Sequence, residues 1–181
     1  MLLCLDVHYE EHAATTGCVG FEDWRDARAT MELVVRTQSA PEPYEPGEFF
    51  RREQPHLVDA IERVRRSACV DVVLVDGHAW LTEGRPGLGA RLHEVLGGSI
   101  AVVGIAKNEF AGGIALPVLR GESLRPLFVS AAGMDHARAA ALVQGMHGAY
   151  RVPTLLKRAD QLARGRSSPS QLPEPSKGGA P

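Results

Sequence analysis

Three acidic residues, Asp6, Glu53 and Asp76, occupy positions where a carboxylate is costly. Asp6 lies inside an apolar run at residues 2–8, Glu53 lies on the apolar side of a predicted helix, and Asp76 ends a run rich in valine. Buried carboxylates repel one another, so three that converge require protons or cations. Hard oxygen ligands favour Mg²⁺, with Mn²⁺ also possible. The three acids therefore predict a divalent-metal site if the fold brings them together.

Each acid also has an ordinary structural explanation. Asp6 could end a short strand, Glu53 could be a solvated first-turn acid favoured by the helix dipole, and Asp76-Gly77 could form a turn. Any one of these explanations is plausible alone. The joint placement of the three acids favours the metal cluster.

The elements that must position these acids follow from hydrophobic periodicity. Runs at 2–8, 15–22 and 31–37 predict three antiparallel strands, and a proline-rich link separates them from a helix at 50–66. The continuous apolar run at 70–77 predicts a buried parallel strand. The remaining predicted elements are a helix at 88–96, a strand at 100–106, short strands at 116–119 and 127–130, and helices at 135–146 and 154–164.

This order of elements predicts a mixed α/β sheet flanked by helices. Glu53 precedes Leu57 of the apolar stripe by one turn, so its side chain is expected to face the sheet. The β-α-β unit that starts at 70–77 places the Asp76 loop at a carboxyl edge, where α/β proteins build their sites. We expect one domain at 1–165 and a disordered tail at 166–181, which is rich in Ser, Pro and Gly.

Composition restricts the partners. The chain has 181 residues, 44% of them hydrophobic, and no apolar run long enough to span a bilayer. Its formal net charge of -2 gives no general attraction to phosphates, so nucleic acid would have to bind at a local basic patch. Arginines on helices are more often a solvated face. Three cysteines without metal-ligand spacing predict reduced thiols, and we expect a cytoplasmic monomer without a membrane partner.

Three antiparallel strands, a helix and a parallel strand, carrying Asp, Glu and Asp in that order, resemble ribonuclease H-like nucleases. Shorter motifs resemble the endonuclease V family more specifically. In chain order they are Pro43-Tyr44-Glu45-Pro46-Gly47, Arg52-Glu53, Val75-Asp76-Gly77-His78, Val103-Gly104-Ile105-Ala106-Lys107, Val129-Ser130 and Tyr150-Arg151-Val152-Pro153. The resemblance runs from about residue 2 to residue 164.

The resemblance implies a ribonuclease H-like fold and a nuclease that cuts DNA or RNA on the 3′ side of inosine. Asp6, Glu53 and Asp76 would hold Mg²⁺, which activates a water for attack on phosphorus. Lys107 would neutralise the phosphate or orient the water, although a lysine at a strand end is as often only solvated.

The resemblance also implies residues that bind the substrate. Tyr44 would wedge the duplex from a rigid loop bracketed by prolines, although it could instead pack that link onto the domain. Small residues would permit close approach of a flipped base. The base-pocket positions are Gly47, Phe49, Gly77 and Ala79, and the further substrate-binding positions are Pro46, Arg52 and His78.

The chain departs from the family pattern at several positions. Thr82 stands where the family carries a histidine, Ala79 stands where glycine is usual, and the segment after Lys107 is short. His78 is near enough in sequence to compensate for the histidine. Two classes therefore stay open: a divalent-metal nuclease, or a divergent protein without repair nuclease activity that acts on a small nucleotide or metabolite or serves as a binding module.

Overall fold

The computed structural model describes residues 1–38 and 49–166, except the side chain of Phe49. Within those ranges the strands are β1 (Leu2–Glu10), β2 (Ala13–Phe21), β3 (Met31–Gln38), β4 (Val72–Asp76), β5 (Trp80–Thr82), β6 (Arg85–Pro86), β7 (Ala101–Ala106), β8 (Leu116–Val118) and β9 (Leu127–Ala132). The helices are α1 (Phe49–Arg65), α2 (Leu88–Val95), α3 (His136–Gly145) and α4 (Thr154–Ala163). The predicted tail lies outside the described residues apart from Arg166.

Seven of the strands form one mixed sheet in the order β3-β2-β1-β4-β7-β9-β8. The first three are antiparallel, β4 joins β1 in parallel, and β7 joins β4 in parallel. At the far edge, β9 and β8 add antiparallel pairs. The predicted mixed sheet of three antiparallel strands followed by parallel strands is confirmed.

Helices cover both faces of this sheet. Side chains alternate along β1, so Leu3 and Leu5 pack on the face under α1 and α2, while Leu2 and Cys4 pack on the face under α3 and α4. Nearly every position of β4 is buried, which explains its continuous apolar run. Each face therefore has its own hydrophobic core.

The small β5-β6 hairpin was not predicted. Its strands have three and two residues, too few to show an alternating pattern, and Gly84 turns the chain at φ 70°. In the described ranges, no helix combines the length and apolar composition needed to cross a membrane.

Candidate active site

Parallel pairing of β1 and β4 brings two of the predicted acids side by side. Leu5 pairs with Val75, so the residues that follow them, Asp6 and Asp76, are neighbours where β4 ends. By the alternation of each strand, both side chains fall on the face covered by α3 and α4. The first predicted juxtaposition is therefore present.

Glu53 approaches from the other face of the sheet, on α1. Its side chain is only 8% exposed, as expected for an acid on the inner side of that helix. Burial raises the pKa of Glu53 to about 8, with further contributions from the charges of Asp6 and Asp76, while the Arg52 charge opposes the shift. Glu53 thus adds to an acidic cluster that disfavours full ionisation.

Asp6 interacts with the charges of three neighbouring side chains in this cluster. Burial, followed by the charges of Asp76 and Asp160, raises its pKa to about 7 against the opposing charge of Lys107. A hydrogen bond between the Asp6 and Asp160 carboxyl groups also raises the pKa of Asp6 and lowers that of Asp160. Near neutral pH the Asp6 carboxyl group is therefore partly protonated, and a cation at this position would compete with that proton.

Asp160 was missed by the sequence analysis. It projects from α4, and Arg164 donates to its carboxylate at 2.6 Å. Burial opposes ionisation of Asp160, but Arg164 and the Asp6 hydrogen bond hold its pKa below the usual value. The sequence feature that could have pointed to Asp160 is its spacing from the apolar residues of α4. It lies four residues after Leu156 and three before Ala163, at the border of the buried face.

Gly17 allows α4 to approach the sheet at this point. Gly17 pairs with Asp6 across β1 and β2. A Cβ atom at Gly17 would lie 2.2 Å from the Ala159 carbonyl oxygen and 2.6 Å from the Ala163 nitrogen. Only a residue without a side chain permits this contact, which places the Asp160 helix over Asp6.

Lys107 follows the last residue of β7 and forms an ion pair with Asp76. The Arg151 guanidinium donates to the carbonyl oxygens of Lys107 and Pro126, so it holds the main chain on which the lysine stands. The described structure therefore groups Asp6, Asp76, Asp160 and Lys107 on one side of the sheet.

Residues of two other strands, β7 and β9, hold the loop after β4 in place. Gly77 has φ 145°, and a Cβ at Gly104 would lie 2.2 Å from the Ala79 nitrogen. The Ser130 hydroxyl accepts hydrogen bonds from the backbone N–H groups of Ala79 at 3.0 Å and Trp80 at 3.2 Å. Ala79 is fully buried, main chain included, so it anchors the loop from beneath its surface.

His78 lies on the same loop and faces the β7-β8 connection. Its Nε2 donates to the Asn108 carbonyl oxygen at 3.0 Å, and its ring meets Phe110 edge-on at 6.3 Å. Its Nδ1 is buried without a partner among the described residues. Thr82 ends β5 and pairs with Arg85, whose guanidinium lies 5.5 Å from the Phe110 ring.

Arg52 holds the beginning of α1 to the end of β1. Its guanidinium lies 4.0 Å from the centroid of the Tyr9 ring, and the Tyr9 hydroxyl donates to the Arg52 carbonyl oxygen at 2.8 Å. Three other predicted substrate-binding residues, Tyr44, Pro46 and Gly47, lie outside the described residues. Phe49 begins α1, but its side chain is not described.

A cavity of about 620 Å³ opens beside the acids. Its lining includes Asp6, Asp76, Lys107 and Asp160 but not Glu53. Within residues 1–38 and 49–166, no group of three or more His, Cys, Asp and Glu side chains has the arrangement of a metal site. The donors are nonetheless carboxylate oxygens held close by the fold, and this chemistry suits a hard divalent cation such as Mg²⁺.

Comparisons with known proteins agree with this architecture. The curated endonuclease V of Streptomyces avermitilis is 28% identical over 181 aligned residues, covering 81% of this chain and 76% of the relative. That of Rhodospirillum centenum is 31% identical over 158 residues, covering 75% of this chain and 64% of the relative.

Solved structures show the same fold. Ciona intestinalis endonuclease V, in complex with a 24mer DNA containing an inosine followed by a ribo-adenosine, matches with a TM-score of 0.75 and 18% identity, over 91% of this chain and 84% of that one. The Streptomyces avermitilis enzyme matches with a TM-score of 0.70 and 25% identity, over 91% and 79%. The fold is therefore ribonuclease H-like. Because the family model for endonuclease V matches residues 1–121, the chain belongs to the endonuclease V family of nucleases.

Proposed function

We propose that this protein is a divalent-metal-dependent endonuclease that hydrolyses a phosphodiester on the 3′ side of inosine or another modified base in DNA or RNA. The observation that carries the proposal is the group of Asp6, Asp76, Asp160 and Lys107 beside one open cavity. Family membership favours this nuclease over a protein acting on a small metabolite.

Asp6, Glu53, Asp76 and Asp160 would hold Mg²⁺ or Mn²⁺, which when bound supplies an activated water and stabilises the leaving oxygen. Asp6 must release its proton before it binds the cation, because only the carboxylate is a ligand. The Lys107 ammonium, which is paired with Asp76, would be released to contact a phosphate once a cation neutralises that carboxylate.

Substrate recognition is proposed for two places. The first is the loop at Gly77, His78 and Ala79, which Gly104 and Ser130 hold rigidly beside Asp76. The second is the segment before α1, where Tyr44 would act as the wedge. The Ciona intestinalis relative binds DNA containing inosine, and this supports nucleic acid with a modified base as the substrate class.

Cleavage of labelled oligonucleotides tests the proposal. Single- and double-stranded DNA and RNA, each with and without one inosine, are incubated in Mg²⁺ and in Mn²⁺ with the wild type, Asp76→Asn and Glu94→Gln. Glu94 is an exposed acid on α2, on the opposite face of the sheet, and serves as the matched control. We expect cutting beside inosine by the wild type and the control but not by Asp76→Asn. Absence of cutting by folded wild-type protein that binds Mn²⁺ would contradict the proposal.

A further inference from the structure

An aromatic ring stands between the acidic cavity and a second cavity. Tyr150, in the connection between α3 and α4, is 73% exposed. The second cavity has about 610 Å³ and extends from α4 to the connection between β2 and β3. Tyr150, Val152 and Lys157 line both cavities. The two cavities therefore form one groove with the Tyr150 ring at its middle.

The main chain beneath this ring is held in place. The Arg120 guanidinium, in a side chain only 4% exposed, donates to the carbonyl oxygens of Tyr150 and Arg151, each at 3.1 Å, and to that of Met146. Burying a cation for this purpose fixes the loop from inside. An exposed ring on a fixed main chain loses little freedom when it contacts a ligand.

The second cavity is locally basic although the whole chain is slightly acidic. Its charged lining consists of Arg28, Lys157, Arg158 and Glu32. Arg158 and Glu32 neutralise each other through two hydrogen bonds of 2.7 and 2.8 Å. The positive charges of Arg28 and Lys157 remain, both on exposed side chains. The Lys157 ammonium lies 5.6 Å from the centroid of the Tyr150 ring.

We propose that this groove binds the single-stranded flank of the nucleic acid whose phosphodiester lies at the acidic cavity. Tyr150 stacks on an unpaired base, and Lys157 and Arg28 contact the phosphates that lead away from the site. An aromatic ring beside basic side chains is typical of surfaces that bind single-stranded nucleic acid. Every base has a face that can stack on the ring, and every phosphodiester carries a negative charge. The inference rests on the proposed function and adds a strand-binding surface to it.

Equilibrium binding separates stacking from charge. Fluorescence anisotropy measures the Kd of labelled single-stranded oligonucleotides for proteins that all carry Asp76→Asn, so that no strand is cut. We expect Tyr150→Ala to raise Kd about tenfold with an unchanged salt dependence, and Tyr150→Phe to stay within about twofold because the ring remains. Lys157→Ala should instead reduce the magnitude of the slope of log K against log salt by about 0.7, the value for one phosphate contact to a single strand.

The control is Val95→Ala, which removes an exposed apolar side chain from α2 on the opposite face of the sheet. It should leave Kd unchanged. With Asp76 intact, Tyr150→Ala should raise KM for cleavage while kcat changes little, because the ring acts on binding rather than on the reaction.

Two results would overturn the inference, and they differ. If Tyr150→Ala binds as tightly as the parent while nucleic acid still binds, the groove has no such role and the proposed nuclease stands. If neither the parent nor the wild type binds any nucleic acid, the proposed function fails together with the groove.

Discussion

At the scale of single residues, the carboxylate oxygens proposed to hold a metal ion also have a raised affinity for protons. Asp6 and Glu53 both prefer the protonated form in the folded protein, with pKa values of about 7 and about 8. Both values lie above those of the unfolded chain, so the folded state binds more protons between pH 4 and 8. The stability that these protons provide is present at low pH and is lost as pH rises through this window.

Glu53→Gln should therefore stabilise the metal-free protein increasingly between pH 5 and pH 8, because glutamine has no charge to bury. At pH 8 we expect a gain on the order of 1–3 kcal/mol over the wild type. Thermal unfolding in chelator at both pH values measures the effect, with Glu94→Gln as the control. A difference in Tm between Glu53→Gln and the wild type that stays constant with pH would refute the raised pKa.

Lys107→Met tests the ion pair with Asp76. Loss of the cation should lower kcat by roughly 10²-fold, the usual size for one electrostatic contact to a reacting phosphate. It should also tighten Mn²⁺ binding, because the ammonium no longer competes for the Asp76 carboxylate. Calorimetric titration with Mn²⁺ and single-turnover cleavage measure the two effects. Weaker Mn²⁺ binding would show that Lys107 does not oppose the cation.

At the scale of elements, the contact between α4 and β2 decides whether Asp160 reaches Asp6. This contact depends on Gly17, where a methyl group has no room against main-chain atoms of the helix. Main-chain atoms cannot rotate away as a flexible side chain can. The close approach of α4 to the sheet therefore depends on the absence of a side chain at Gly17.

Gly17→Ala should displace α4, destabilise the protein by about 2–3 kcal/mol and reduce cleavage further than the loss of folded protein explains. Gly20→Ala, in the same strand, is the matched control. Its Cβ would meet the flexible ends of Met31 at 3.1 Å and Met1 at 3.2 Å. Urea unfolding and cleavage at a temperature where both variants are folded measure the effects. Equal losses in the two variants would refute a special role for Gly17.

The sheet and the placement of Asp6 and Asp76 on neighbouring strands could be predicted from the sequence for the same reason. The apolar runs of these strands, such as the one before Asp76, are long enough to identify them as strands. Asp160 lies among Lys157, Arg158 and Arg164 on an amphipathic helix, where an acid is ordinary. Its role depends on the distant Gly17, and no local pattern encodes that contact. The sequence identified Tyr150 only as part of a family motif. Its exposed position could not be predicted, because it depends on the distant Arg120 holding the loop.

At the scale of the whole molecule, affinity for nucleic acid has to come from few charges. The chain carries a net charge of -2, and four cations that line the groove have no acidic partner among the described residues: Arg28, Arg151, Lys157 and Arg166. Arg151 is engaged by main-chain carbonyls, and Lys107 would become available once a bound cation neutralises Asp76. Four phosphate contacts, from Arg28, Lys157, Arg166 and Lys107, at about 0.7 counterion released per contact for a single strand, predict a slope of log K against log salt of about -3. Anisotropy titrations between roughly 50 and 200 mM KCl measure it. A slope steeper than about -4 would require a larger basic surface.

The ion pair between Lys107 and Asp76 has a consequence for the order of assembly. A carboxylate cluster without any counterion would make completion of the sheet depend on the supply of metal. Here Lys107 supplies a positive charge to Asp76, the last residue of β4, so the strands can pair before a metal cation binds. If the proposed metal site is correct, folding and metal uptake are separate events, and newly made protein can fold before it binds an ion.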